Sequence, residues 1–220
     1  MSFDAPRPGL PELSMRSGSD DELAAARKAL RKELRARRRA LSPDSRAAAE
    51  RRVALNVQRR FPLRPGQRIA LYAPLPEELD VAPLAELVRR HAGLIYLPRL
   101  IDRRKRRMHF VAARGPMTAN RLGILEPAHA EWISVHRLDL VFLPLVGFDA
   151  LGMRLGMGAG YYDRAFSFLR SRRIWHRPKL IGLAFATQRV ASLHRAPHDV
   201  LLDAVVTEEG VHEFFHHARE

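Results

Sequence analysis

The run Leu138-Asp-Leu-Val-Phe-Leu-Pro-Leu-Val-Gly-Phe148 constrains the fold more than any other stretch. From Leu138 to Leu143 it is almost continuously apolar. A strand wet on one face alternates apolar and polar residues, whereas a strand that does not alternate is covered on both faces, as in a parallel sheet between helices. Shorter β-runs at Arg68–Ala73, Leu94–Leu97, Met108–Ala113, Leu180–Phe185 and Ala204–Val206 alternate with helical stretches at Ala82–His91, which Asp80 can cap, and Tyr161–Arg172. This order predicts an α/β fold with a mostly parallel sheet covered by helices. A short helix is expected in the tail after Glu208.

Ahead of the sheet, two helices are predicted. Ser19 and Glu22 form a capping-box pair opening a helix with Leu23, Ala26, Leu30, Leu34 and Leu41 on one face. Arg27, Arg31, Arg35 and Arg38 line up beside that stripe. Such a row is ordinarily a solvated face, but Arg27 and Arg31 are spaced to grip one polyanion. Ser42-Pro43 reads as an N-cap and first helical residue of a second helix, which stops before Pro62. Residues 1–18, rich in Pro, Gly and Ser, are expected to be a disordered tail, and residues 19–220 one domain.

Charge and composition narrow the function classes. Lys and Arg number 38 against 24 Asp and Glu, a formal net charge of +14, which favours anionic partners. Nucleic-acid binding would call for aromatic residues among the basic patches, and neither the arginine helix nor Arg103–Arg107 has them, so no obligatory nucleic acid is expected. Without cysteine, no thiol nucleophile or cysteine-bound metal is possible. The apolar run Leu140–Phe148 is too short to span a membrane, and the N-terminus lacks the apolar run of a signal peptide. A cytoplasmic protein without membrane attachment is expected.

After the buried strand come Gly156, Gly158 and Gly160, then the first turn of a helix, with Arg154 before and Asp163 behind. A glycine-rich loop running into a helix exposes backbone N–H groups that hold phosphate oxygens. The triplet fits neither a P-loop nor a dinucleotide fingerprint, and a plain tight turn would also use it. Arg154 reads as a loop arginine facing phosphate. Two further constellations stand open between function and ordinary loop placement. One is Tyr72-Ala-Pro-Leu-Pro-Glu-Glu-Leu-Asp80, beyond a strand end where α/β sheets place ligands; the other is His198-Asp199 with Asp203, carboxylates suited to Mg2+.

Together these pieces resemble the 5-formyltetrahydrofolate cyclo-ligase family over roughly residues 24–209. The most specific part is Leu-Pro-Leu-Val-Gly-Phe-Asp149 followed by Gly-x-Arg-Leu-Gly-x-Gly-x-Gly-Tyr-Tyr-Asp163. Supporting it are Arg27-Lys-Ala-Leu-Arg31, Glu77-Glu-Leu-Asp80, Gly123-Ile-Leu-Glu-Pro127, Gly182-Leu-Ala-Phe-x-x-Gln188 and Asp203-Ala-Val-Val-Thr-Glu208. The resemblance implies a three-layer α/β/α sandwich of Rossmann-like type. It also implies ATP- and Mg2+-dependent conversion of 5-formyltetrahydrofolate to 5,10-methenyltetrahydrofolate by a monomeric enzyme. Another small-molecule phosphoryl-transfer enzyme is the runner-up, and a basic RNA-binding protein the reading from a different class.

Carried over position by position, the resemblance assigns ATP to Arg27, Lys28, Arg31, Arg154, Leu155, Gly156, Met157, Gly158, Ala159, Gly160, Tyr161 and Tyr162. It assigns the folate to Ala73, Glu78 and Met157–Tyr161, the metal to Asp163 and Asp203, and the reacting centre to Arg154 and Tyr161. The family commonly has lysine at the position of Arg27, and Lys28 stands next to it. A polyglutamate tail on the folate would be steered by arginines, with Arg103–Arg107 the expected patch.

Overall fold

A computed structural model describes residues 20–102, 104–119, 123, 125–128, 131–171 and 177–214. The tail, Ser19 of the capping box, Arg103 and Arg172 lie outside the described residues. Helix α1 spans Asp20–Arg39 and α2 Pro43–Arg60. Ser42 caps α2, its Oγ accepting from the Ser45 N–H at 3.2 Å. Strand β1 (Arg68–Ala70) leads to α3 (Ala82–Arg90), where Asp80 accepts from the Ala82 N–H at 2.9 Å. There follow β2 (Leu94–Asp102), β3 (Arg107–Ala112), β4 (Met117–Ala119), β5 (Leu125–Pro127), β6 (Trp132–Ile133) and β7 (Leu140–Pro144). The chain ends with β8 (Gly147–Phe148), β9 (Arg154–Leu155), α4 (Tyr161–Ala165), β10 (Lys179–Leu183), β11 (Ala204–Thr207) and β12 (Gly210–Glu213).

Among the described residues the main sheet has the order β12-β11-β10-β7-β1-β2-β3-β6. The central five, β11 to β2, pair in parallel, while β12, β3 and β6 add antiparallel edges. Strand β7 sits in the middle and behaves as its composition demands. Leu140 and Phe142 pack with α2 and α3 residues such as Val53, Val57 and Val88 on one face. Val141 and Leu143 pack with Phe110, Phe166 and Leu169 on the other. Helices on both faces make the α/β sandwich. Helix α1 lies to one side, seating Leu30 and Leu34 against Val146, Leu155 and Val190. Among the described residues no helix is long and apolar enough to cross a membrane.

Three expectations are corrected. Within the tail after Glu208, Gly210–Glu213 is a strand, because the turn closed by Thr207 and Gly210 folds it back onto β11 with Val206 opposite Val211; residues 215–220 lie outside the described residues. The helix from Tyr161 stops at Ala165. A 3-10 segment, Ser167–Ser171, replaces it, and its tighter pitch lets both Phe166 and Leu169 face the core. Strand β2 runs through Pro98 to Asp102, since β1 pairs only as far as Tyr96 and Pro98 owes no N–H on that side.

Gly182 on β10 is needed for space. A Cβ there would lie 2.5 Å from Leu145 Cδ2, 3.0 Å from Leu202 Cδ1 and 3.1 Å from Val205 Cγ2. Gly182→Ala is expected to cost about 1–3 kcal/mol by overpacking, read as a lower urea midpoint at unchanged slope.

Candidate active site

The C-terminal ends of β1, β2 and β7 open into a cavity of about 790 Å³, where an open parallel sheet places its ligands. Arg27 and Arg31 from α1 form one wall. Tyr72, Ala73 and Glu78, beyond β1, form another, and residues 156–164 form the floor. A larger hollow of about 950 Å³ between α2 and the β11–β12 hairpin holds none of the site residues read from the sequence.

The floor is the glycine loop. Gly158 and Gly160 take left-handed φ angles of 98° and 70°, which a side chain would strain. Among the described residues, no backbone carbonyl accepts from the N–H groups of Gly156 to Gly160. Arg31 Nε donates to the Gly156 carbonyl at 2.8 Å, and its Nη2 lies 3.6 Å from where a Gly158 Cβ would be. Arg31 is half-buried, and that burial, with the neighbouring Arg27 charge, lowers its pKa. Two guanidiniums crowded together over bare backbone attract an anion. Helix α4, only five residues long, adds little dipole of its own.

Arg154 is not the loop arginine expected. It sits on β9 with 7% of its surface exposed. Its Nη1 donates to the Val200 carbonyl, and its Nη2 to Asp163 Oδ1 at 2.5 Å; the Val200 N–H donates to the same oxygen at 3.1 Å. Residues before and after the loop are thus stapled together beneath it, while Arg154 also contributes to the cavity lining. Leu155 faces away from the cavity into the α1 contact. Lys28, one residue and about 100° of helix beyond Arg27, is exposed and off the cavity wall.

The carboxylates divide differently from the sequence reading. Asp163 and Asp199 both line the cavity, and Asp199 is buried, its Oδ2 accepting from the Ala196 N–H at 2.9 Å and from Arg27 at 3.4 Å. Asp203 lies elsewhere. It precedes β11 and accepts from the Leu180 N–H at 2.7 Å, at the N-terminal end of parallel strands whose C-terminal ends form the site. A signal was available: a residue just before a strand of the parallel set cannot reach the opposite edge.

Glu78 is buried, its Oε2 accepting from the Leu75 N–H at 3.0 Å while Arg46 holds its carbonyl at 2.8 Å. Burial pushes its carboxyl above the usual glutamate range, opposed by that N–H and by Arg38. Arg38, expected on a solvated row, is itself buried against Glu77 and the Leu145 carbonyl. Burial and then Glu78 push the Tyr162 phenol up, so it stays neutral.

A profile of the 5-formyltetrahydrofolate cyclo-ligase family matches residues 23–208. The chain belongs to that family. Over 185 residues it is 32% identical to the 5-formyltetrahydrofolate cyclo-ligase of Escherichia coli K12, covering 82% of this chain and all of that one. The mouse cyclo-ligase is 28% identical over 198 residues, 84% of this chain and 95% of its own. The solution structure of Aquifex aeolicus 5,10-methenyltetrahydrofolate synthetase superposes with a TM-score of 0.72 at 26% identity, covering 88% of this chain and 95% of that one.

Much of the cyclo-ligase motif is scaffold. Asp149 is buried and accepts from the Leu151, Met153 and Leu193 N–H groups, shaping the β8–β9 turn. Gln188 donates to the Leu145 and Val146 carbonyls at 2.7 and 3.0 Å, fixing the exit of β7 into the cavity.

Proposed function

We propose that the protein converts 5-formyltetrahydrofolate to 5,10-methenyltetrahydrofolate using ATP and Mg2+, as a cytoplasmic monomer accepting folates with or without polyglutamate tails. The family supports the reaction. The observation that carries the reading for this chain is the convergence of Arg27, Arg31, the glycine loop and buried Glu78 on one cavity. When bound, ATP would supply the γ-phosphoryl group that makes the formyl oxygen a leaving group, with ADP and phosphate released as N10 closes the ring.

The chain's own residues meet the remaining demands. Arg27, Arg31 and the N–H groups of Gly156–Tyr162 neutralise and orient phosphate oxygens. Glu78 and Ala73 hold the folate against the same loop, where Met157–Tyr161 meet both ligands and Tyr161 faces the reacting centre. Arg154 keeps the loop in register through Asp163. We assign Mg2+ to Asp163 and Asp199, which line the cavity, in preference to Asp203, which bonds the Leu180 N–H away from it; the ion needs only one or two protein carboxylates beside nucleotide phosphates. Mixing protein, ATP, Mg2+ and 5-formyltetrahydrofolate tests the reading. The long-wavelength absorbance of the methenyl product should rise, and its absence would overturn the assignment.

Glu78→Gln separates binding from folding. A carboxyl whose folded pKa is raised binds its proton more tightly in the native state, so ionising it costs stability as pH rises past the ordinary value of 4.5. The variant should therefore match wild type at acid pH and be equally or more stable at neutral pH. Its KM for the folate should rise about ten- to a hundredfold, the loss of one charged contact. An unchanged folate KM would remove Glu78 from the substrate wall.

A further inference from the structure

The β2–β3 hairpin carries an arginine that the family reading assigns only to a diffuse surface patch. Arg106 has a φ of 51°, left-handed and costly for a residue with a side chain. The turn before it is held by the Lys105 N–H on Asp102 Oδ1 at 2.8 Å. From there the Arg106 side chain lines the cavity, with Nη1 3.6 Å from the point a Gly160 Cβ would occupy. Neither Arg104, Lys105 nor Arg107 reaches it.

This contact mirrors one already described. Arg31, from α1, stands at the same 3.6 Å over Gly158. Two guanidiniums from different elements meet the two left-handed glycines of one loop. Elsewhere the buried and bridging arginines have acidic partners: Arg35, Arg38 and Arg39 share Glu77, and Arg154 has Asp163. Arg106 makes no ion pair among the described residues. The hairpin turn closed by Asp102 and Arg107 accounts for the left-handed backbone. What marks a ligand contact is that the turn delivers an arginine without an ion pair among the described residues to the cavity, beside the glycine loop.

We propose that Arg106 is the second guanidinium clamp on the nucleotide's polyphosphate, closing over Gly160 opposite Arg31. The proposal rests on the ATP-dependent reading above. A phosphate chain laid along Gly158–Gly160 passes between the two forks, each able to bind its oxygens in bidentate fashion. Arg164 and Arg170, farther along on the cavity wall, remain for other anionic groups of the folate.

Arg106→Gly tests this cleanly, since glycine relaxes the left-handed turn and the variant should melt at or above the wild-type temperature. Calorimetric titration with Mg-ATP should show a Kd weakened at least tenfold, and inorganic tripolyphosphate should lose a similar factor as a competitor. The KM for 5-formyltetrahydrofolate should stay within twofold, and Arg106→Lys should fall between. An unchanged ATP Kd would overturn the proposal, as would a loss confined to the folate KM, which would place Arg106 on the folate's carboxylates. If wild type binds ATP through Arg106 yet forms no methenyl product, the reaction assignment fails and the clamp stands.

Discussion

Arg154→Ala should lower the unfolding free energy by about 3–5 kcal/mol, the cost of breaking a buried charged pair and stranding its partner. For a chain of this size that corresponds to a fall in Tm of roughly 6–20 °C. The arginine leaves behind the Asp163 carboxylate and the Val200 carbonyl, both of which it holds in the folded protein. At a temperature where the variant is still folded, kcat/KM should drop about a hundredfold, because the staple beneath the glycine loop has gone. Combining Arg154→Ala with Asp163→Asn should cost much less than the sum of the two, a coupling that a double-mutant cycle reads directly. Arg154→Lys keeps the charge but cannot span both partners, so it should recover only part of the stability. A wild-type Tm for Arg154→Ala would reject the staple and restore a solvent-facing phosphate contact.

Asp199→Asn should raise the Mg2+ concentration needed for half-maximal rate at least tenfold, because a carboxylate on the cavity wall becomes a neutral amide. Asp203→Ala makes the contrast. It should leave the magnesium titration where it was and cost about 1–2 kcal/mol of stability, the price of an unmet Leu180 N–H. Titrating Mg2+ against rate for both variants, with urea unfolding alongside, separates a ligand from a strand-end bond. The reverse pattern, with Asp203→Ala shifting the titration, would return the metal to the far end of the sheet.

These contrasts follow the line between what was legible in the chain and what was not. The covered strand at Leu140–Pro144 could be read locally, because burial on both faces leaves no polar alternation. The Ser42 cap and the left-handed glycines could be read for the same kind of reason: each is a relation among residues a few positions apart. The strand β12, in a tail where a short helix is expected, is not legible because its partner, β11, decides its conformation more than its own short sequence does. On α1 the helical period could have excluded Lys28, but only once a cavity existed to define which side of the helix mattered.

The charged residues show where local reading ends. Arg154 reads as a phosphate ligand from its neighbours in sequence; it does line the cavity, but its bonds to Asp163 and to the carbonyl of Val200, 46 residues on, form only in the fold. Asp199 and Asp203 are four residues apart and chemically alike. Pairing of β11 with β10 sends one to the cavity and leaves the other at the opposite end of the sheet. By itself the sequence determined the family, the α/β layering and the glycine loop, all of which depend on short-range geometry and on apolar pattern. Tertiary structure alone decided which charges face the ligand cavity and which hold the scaffold, because a charge takes its role from partners that only folding brings within a few ångströms.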